Sequence, residues 1–350
     1  MKKILSALCA FVLLLGAGLT LSACGKKKSD NTIKFESGEY ACIAQADTLT
    51  SSETLTETEQ NIIVSGLVIE DFDNLSLVNY AKKLLDNTYI KLNSDSINLS
   101  YFTIIEGQLF TKISATIKAY TFKNDTLTFE DTNGKYIVTK DEEGNLVCQF
   151  NSYYDFGNGF ETNEKLVFSI TVNFQKLTEE SDKAVPTEES FYANKEIVAK
   201  YQLTSVSNLD AYYKSFASIF QEGNLNITQE RFSQIVNNVS NGRIILFSDN
   251  TLYYVANVDI NKILIEIEPM MALFLDQAGL VSTETEIGYI CDIVSLDSKF
   301  TATAKAGATS FEYTIDGDNL IATVDINSTS GDKIKVTYTF IKISDTNPAD

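Results

Sequence analysis

A chain of 350 residues with 47 acidic against 28 basic side chains, a formal charge of −19 and no histidine excludes several functions at once. Past Lys26-Lys27-Lys28 no stretch gathers the Lys and Arg that phosphate binding needs, so nucleic acid is not a partner. The commonest general base and the imidazole ligands of most zinc sites are missing, while 44% hydrophobic and 11% aromatic residues describe a globular chain rather than a disordered one.

The first element in chain order is a leader. Lys2 and Lys3 supply a positive end, Ile4 to Leu21 an apolar stretch, and Ser22-Ala23 two small residues before Cys24 and Gly25. About 18 apolar residues would just span a bilayer, but small residues directly before a cysteine mark a cleavable export signal. Leu21-Ser22-Ala23-Cys24 resembles the lipobox of bacterial lipoproteins. That resemblance implies signal-peptidase recognition through Leu21, Ser22 and Ala23, diacylglycerol on the Cys24 sulfur, loss of residues 1–23, and attachment to the extracytoplasmic face of the bacterial cell membrane. Buried acyl carbon contributes about 0.8 kcal/mol per methylene, so two chains hold a protein durably. Residues 24–34 then form a tether, in which the three lysines either lie against anionic headgroups or serve as a solvated spacer. The processed chain would keep 327 residues with 26 basic and 47 acidic side chains, a charge that keeps a surface protein soluble.

That length suits two domains, and the two halves repeat one another. Asn87 to Asp95 matches Asn241 to Asp249, and each is followed by an aromatic-bearing strand, Leu99 to Phe102 and Leu252 to Val255. Tyr120 to Leu127 matches Tyr313 to Leu320, although Tyr136 to Val147 is an equal partner for the same segment. Phe168 to Leu177 matches Ile334 to Ile343. The expected domains are therefore 35–177 and 191–343, separated by an acidic linker at 178–190 that holds Pro186, with a tail at 344–350.

Within each copy the pattern is mainly β. Phe168, Ile170, Val172 and Phe174 alternate with polar residues, as do Ile334, Val336, Tyr338 and Phe340, which predicts antiparallel strands with one wet face. Asp316-Gly317-Asp318-Asn319 predicts a hairpin turn. Short helices come early in each copy: Leu77, Ala81, Leu84 and Leu85 form one stripe, Leu209, Tyr212, Tyr213, Phe216 and Phe220 another, and Phe232, Ile235, Val236 and Val239 a third. Asn226 with Gln229 is the expected cap of the last. A strand, a helical excursion and then a meander resembles the lipocalin-like domains of bacterial lipoproteins. The resemblance implies two tandem antiparallel β-barrels; it carries no ligand-binding residues, and the tryptophan usual near the first lipocalin strand is missing here.

Catalytic constellations are sparse. Ser330-Gly-Asp-Lys333 fits Ser-x-x-Lys but falls in an expected hairpin turn and has no Lys-Thr-Gly partner. Asp71 with Asp73, and Asp316 with Asp318, are carboxylate pairs of the kind glycosidases use, yet abundant acids produce such pairs by chance. The acidic turns lack EF-hand spacing, so neither a metal nor a cofactor is expected, and the chain reads as a non-enzyme. Cys42, Cys148 and Cys291 read as buried inert thiols, with a Cys42–Cys148 disulfide compatible with export.

One segment stands apart. Between Lys262 and Val281, alternating Ile263, Ile265 and Ile267 lead to Pro269-Met-Met-Ala-Leu-Phe-Leu-Asp-Gln-Ala-Gly279, with Pro and Gly placed as for a helix start and end. Met270, Met271 and Phe274 would form a lid with adaptable apolar contacts over a barrel mouth, or a plug that closes it. Two functions follow: a lipid-anchored envelope module binding a small apolar ligand or envelope component, or a structural and interaction protein with filled barrels. Internal space under residues 262–281 favours the first; filled interiors favour the second.

Overall fold

The computed structural model describes residues 32–51, 56, 85–130, 134–155, 163–214, 227–267, 280–294, 298–305, 310–327 and 333–343. They are mainly antiparallel strands, as the alternation predicts. In the first half these are β1 (Gly38–Ser51), β2 (Thr88–Leu92), β3 (Ile97–Ile105), β4 (Leu109–Ile117), β5 (Tyr120–Lys123), β6 (Thr126–Glu130), β7 (Lys135–Lys140), β8 (Leu146–Asp155) and β9 (Glu164–Lys176). The second half has β10 (Ile197–Ser207), β11 (Asn241–Phe247), β12 (Thr251–Asp259), β13 (Leu280–Val294), β14 (Lys299–Ala304), β15 (Ser310–Asp316), β16 (Asn319–Asn327) and β17 (Lys333–Ile343). Four helices are described: α1 (Glu188–Phe191), α2 (Leu209–Lys214), α3 (Gln229–Val239) and α4 (Ile260–Ile267).

Pairing in the second half runs in chain order from β10 to β17, and β17 returns to β10, closing an eight-stranded antiparallel ring. In the first half β1 pairs with both β2 and β9, and the meander continues through β3 to β4 on one side and through β8 to β5 on the other. β4 and β5 are successive pieces of chain separated only by Lys118 and Ala119. In the second half one strand, β13, does what these two do. Its residues Glu284 to Asp292 pair with β12, and its last four, Cys291 to Val294, pair with β14. The pairing thus matches β7–β8, Tyr136 to Val147, with β15–β16, and leaves no extra hairpin in the first copy. The register that sets Tyr120–Leu127 against Tyr313–Leu320 is corrected in favour of its alternative, because hydrogen bonding follows the strand break at Lys118 rather than the Tyr-Thr similarity.

The two halves share one sheet. Leu280 to Tyr289 of β13 pairs antiparallel with β4, Ile117 to Leu109, so β13 has β12 on one side and β4 on the other. Exposed strand edges invite pairing with other chains; here each copy covers the edge of its counterpart.

Three further expectations meet a different structure. Residues 260–267 are helix, not an alternating strand, because Ile260, Ile263, Leu264 and Ile267 also fit a helical stripe and the Asp259 carboxylate accepts from Lys262 N at 3.0 Å, as an N-cap does. The cap of α3 is Thr228, whose side chain accepts from Arg231 N at 3.2 Å, rather than Asn226, which lies outside the described residues. The segment read as linker holds α1, closed by a capping box between Thr187 and Ser190. It lies against the shared sheet: Tyr89 donates to Ala184 O at 3.2 Å and Lys183 to Cys42 O at 2.6 Å. Leu177, Val185 and Phe191 pack on Ala41, Tyr89, Phe102 and Phe110.

Candidate functional site

Inward-facing residues decide whether a barrel is a core or a container. In the first half they form a cluster that includes Phe35, Tyr40, Tyr101, Tyr120, Phe122, Phe129, Tyr136, Phe150 and Phe174, all buried and with no alanine among them; only Ile113 joins it half-buried. Tyr136 stacks between Phe129 and Phe150, with centroids 4.7 Å from each, and hydrogen-bonds Tyr101. No disulfide joins Cys42 and Cys148, both buried in this cluster, and burial pushes the Cys148 thiol far above its ordinary range. This interior is filled.

The second interior is built differently. Its buried members include four alanines, Ala199, Ala302, Ala304 and Ala322, and Leu203, Tyr254, Tyr289, Ile293, Phe311, Ile315 and Tyr338 pack against them only half-buried. One end is closed by buried Leu246, Leu252, Leu320, Phe300 and Phe340. At the other, Leu209 of α2 and Phe232 and Ile235 of α3 join Val206, Val324 and Val336 to form a roof that also touches Phe311 and Tyr338. α4 is tied to this roof by the Arg231–Glu266 ion pair at 3.0 Å. Half-buried aromatics between a sealed base and a helical roof describe a cup.

Tyr254 and Tyr289 are direct cross-strand partners on β12 and β13. Burial raises the Tyr254 phenol, and the phenols of Tyr338 and Tyr289 and the Cys291 thiol raise it further by proximity. Burial pushes Tyr338 up to about 12 and Cys291 likewise up to about 12. All stay neutral at physiological pH. The ring of Phe311 faces Tyr254 with centroids 6.2 Å apart.

A second polar cluster lies outside the barrels, under α1. Glu188, 7% exposed, forms an ion pair with Arg243 of β11. Among the described residues, its other oxygen, Oε1, and the hydroxyl of fully buried Tyr253 have no hydrogen-bond partner. Burial drives the Glu188 carboxyl up to about 7 against the pull of Arg243, and burial likewise raises Glu286. Tyr192 and Phe191 pack at a tilt against Tyr253, with centroids 5.4 and 5.7 Å away. A cleft of about 410 Å³ beside it reaches Tyr192, Lys195, Lys200 and Arg243 but not Glu188. A smaller one of about 310 Å³ runs over Lys91, Asn98, Ser100 and Lys112 on the shared face. The perturbed carboxyl is thus sealed against protein, which fits fastening α1 better than meeting a substrate.

The sequence-derived site residues fall elsewhere. Leu21, Ser22, Ala23 and Cys24, and Met270, Met271 and Phe274, lie outside the described residues, as do Asp71, Asp73 and Ser330. Asp316 and Asp318 flank Gly317 in the β15–β16 turn, where Gly317 takes φ +59°. Tyr254, Tyr289 and Tyr338 carried a signal, inward alternation, but nothing in that pattern separates a lumen lining from a core. Glu188 carried none, because an acid in an acidic segment reads as solvated.

The class these features define is an antiparallel β-meander protein of two similar halves, one interior lined by buried side chains and the other partly by half-buried aromatics. No protein family matches the sequence, and no curated protein does. Two crystal structures are similar in part. One is a Bacteroides fragilis protein whose name assigns it to the outer membrane, 13% identical over 73% of this chain and 87% of its own, with a TM-score of 0.16. The other is an erythromycin dehydratase, 10% identical over 67% of this chain and 73% of its own, with a TM-score of 0.11. At such TM-scores neither bears on the fold or the function.

Proposed function

We propose that this protein is a non-catalytic binding module of the bacterial cell envelope, held at the extracytoplasmic face by diacylglycerol on Cys24, whose second barrel takes a small apolar molecule. The observation that carries the reading is the contrast between the interiors. Aromatic side chains fill the first, whereas four alanines and half-buried Tyr254, Tyr289, Phe311 and Tyr338 leave the second incompletely filled. A core that only had to be stable would close such space, since unfilled volume costs stability. The filled first interior favours a structural role for that copy, which covers the β13 edge and carries α1. The lid assigned to Met270, Met271 and Phe274 follows directly on α4 in the chain.

The test is native mass spectrometry of the protein purified from its own host. A retained adduct of lipid or metabolite mass is the expected result. Adduct-free protein whose tyrosine emission is unchanged by an apolar extract of the host would overturn the reading.

A further inference from the structure

Among the described residues, the inward positions of β14, β15 and β16, every second residue from Phe300, Phe311 and Leu320, and those of β17 from Val336 to Phe340 are all uncharged. An ionised ligand group placed there would be buried without a counter-ion, which proteins avoid. The lining is nevertheless not purely hydrocarbon. Tyr254 and Tyr289 stand side by side on β12 and β13, and Tyr338 comes to them from β17. None of these three hydroxyls has a hydrogen-bond partner among the described residues, and none is sealed from accessible space as the Tyr253 hydroxyl is. Tyrosine in a barrel interior normally spends its O–H on a protein partner, as Tyr101 and Tyr136 do in the first copy. Phenylalanine would have filled these positions equally well had packing been the only need.

We infer that the second barrel selects an uncharged, mostly apolar molecule carrying a hydrogen-bond-accepting oxygen, a ketone, quinone or ester carbonyl, and holds that oxygen with the phenol groups of Tyr254, Tyr289 and Tyr338. This rests on the proposed binding role of the same barrel and names the chemistry it recognises. The phenols donate to the carbonyl oxygen, half-buried Phe311 offers apolar contact to the rest of the molecule, and the alanines supply the room.

Three phenyl-alkyl probes separate the outcomes, butyrophenone and butylbenzene of nearly one shape and the anionic 4-phenylbutyrate, titrated calorimetrically into the full chain. Butyrophenone should bind at least about tenfold more tightly than butylbenzene, the worth of one or two well-made hydrogen bonds, and 4-phenylbutyrate most weakly of the three. In the variant Tyr254→Phe/Tyr289→Phe/Tyr338→Phe, butyrophenone should fall to the level of butylbenzene while butylbenzene itself is unchanged, the latter showing that the barrel is intact. Equal binding of the two uncharged probes, an unaltered ratio in the variant, or a carboxylate that binds as well as the ketone would overturn the inference and leave the binding role standing. Failure of both uncharged probes to bind would overturn the binding role, and the inference with it.

Discussion

The hydroxyl of Tyr253 on β12 lies over Gly288 on β13, so close that a Cβ at Gly288 would overlap it. Tyr253 is fully buried and carries Phe191 and Tyr192 on its ring; the missing side chain at position 288 is thus what lets α1 seat on the shared sheet. Gly288→Ala should cost about 1–3 kcal/mol, the usual range for overpacking, and should loosen α1. Gly242→Ala on β11 is the control, because its Cβ would meet the nearest atom at 3.5 Å, an ordinary contact. Urea denaturation of both variants, with hydrogen exchange on residues 188–192, checks this. Equal effects would show that Gly288 is not special.

Glu188 makes that contact sensitive to pH. Arg243 faces it from β11, Glu286 from β13, Tyr253 from β12, and Glu189 and Tyr192 from its own segment. Burial raises its folded-state pKa to about 7, against an ordinary 4.5. Folding therefore favours the protonated carboxyl. Its contribution is complete below the ordinary carboxylate value and is lost as pH rises through about 7, up to the order of 3 kcal/mol. Stability should thus fall between about pH 4.5 and 7, and Glu188→Gln should flatten that slope. Melting temperatures at half-unit pH steps measure it; a slope unchanged by the substitution would assign the effect to Glu286 instead.

The two interiors should respond differently to truncation. Phe174 is fully buried in the first, and Phe174→Ala should cost about 3–5 kcal/mol. Tyr338, only half-buried in the second, should lose only about 1–2 kcal/mol on Tyr338→Ala, because a proposed ligand space beside it would already carry part of the cavity cost. Denaturant midpoints of the two variants decide the point. Similar losses would mean that the second interior is as tightly packed as the first.

Much of this fold was legible in the sequence because polarity alone dictates it. Ile170, Val172 and Phe174 turn inward in β9, Val336, Tyr338 and Phe340 in β17, and the Asp316–Asn319 turn closes where Gly317 permits a left-handed φ. The joint between the copies was not legible. Lys112 and Ser114 of β4 stand opposite Glu286 and Glu284 of β13, and such residues give the same alternation whether the strand edge beside them meets water or another strand. The cup was hidden for a different reason: Ala302 and Ala322 count as apolar in any pattern, and what distinguishes them from Phe122 and Phe150 is volume, which periodicity does not record.

The proposed attachment to the membrane depends on lipid at Cys24, which can be tested directly. Three lysines attract a few anionic lipids, at about 1 kcal/mol each near a charged surface, and high salt screens them. Acyl chains contribute about 0.8 kcal/mol per buried methylene and are indifferent to salt. In a bacterial host grown with a clickable fatty acid, the native chain should take up label, lose residues 1–23 and stay with membranes washed in 1 M salt. Cys24→Ser should carry no label. Without lipid modification the leader should stay uncleaved, so the variant can remain membrane-bound by its apolar stretch, with Met1 intact. Label at Cys24→Ser, or a native product that still begins at Met1, would refute lipid anchoring at this position and return the leader to the role of a membrane-spanning anchor.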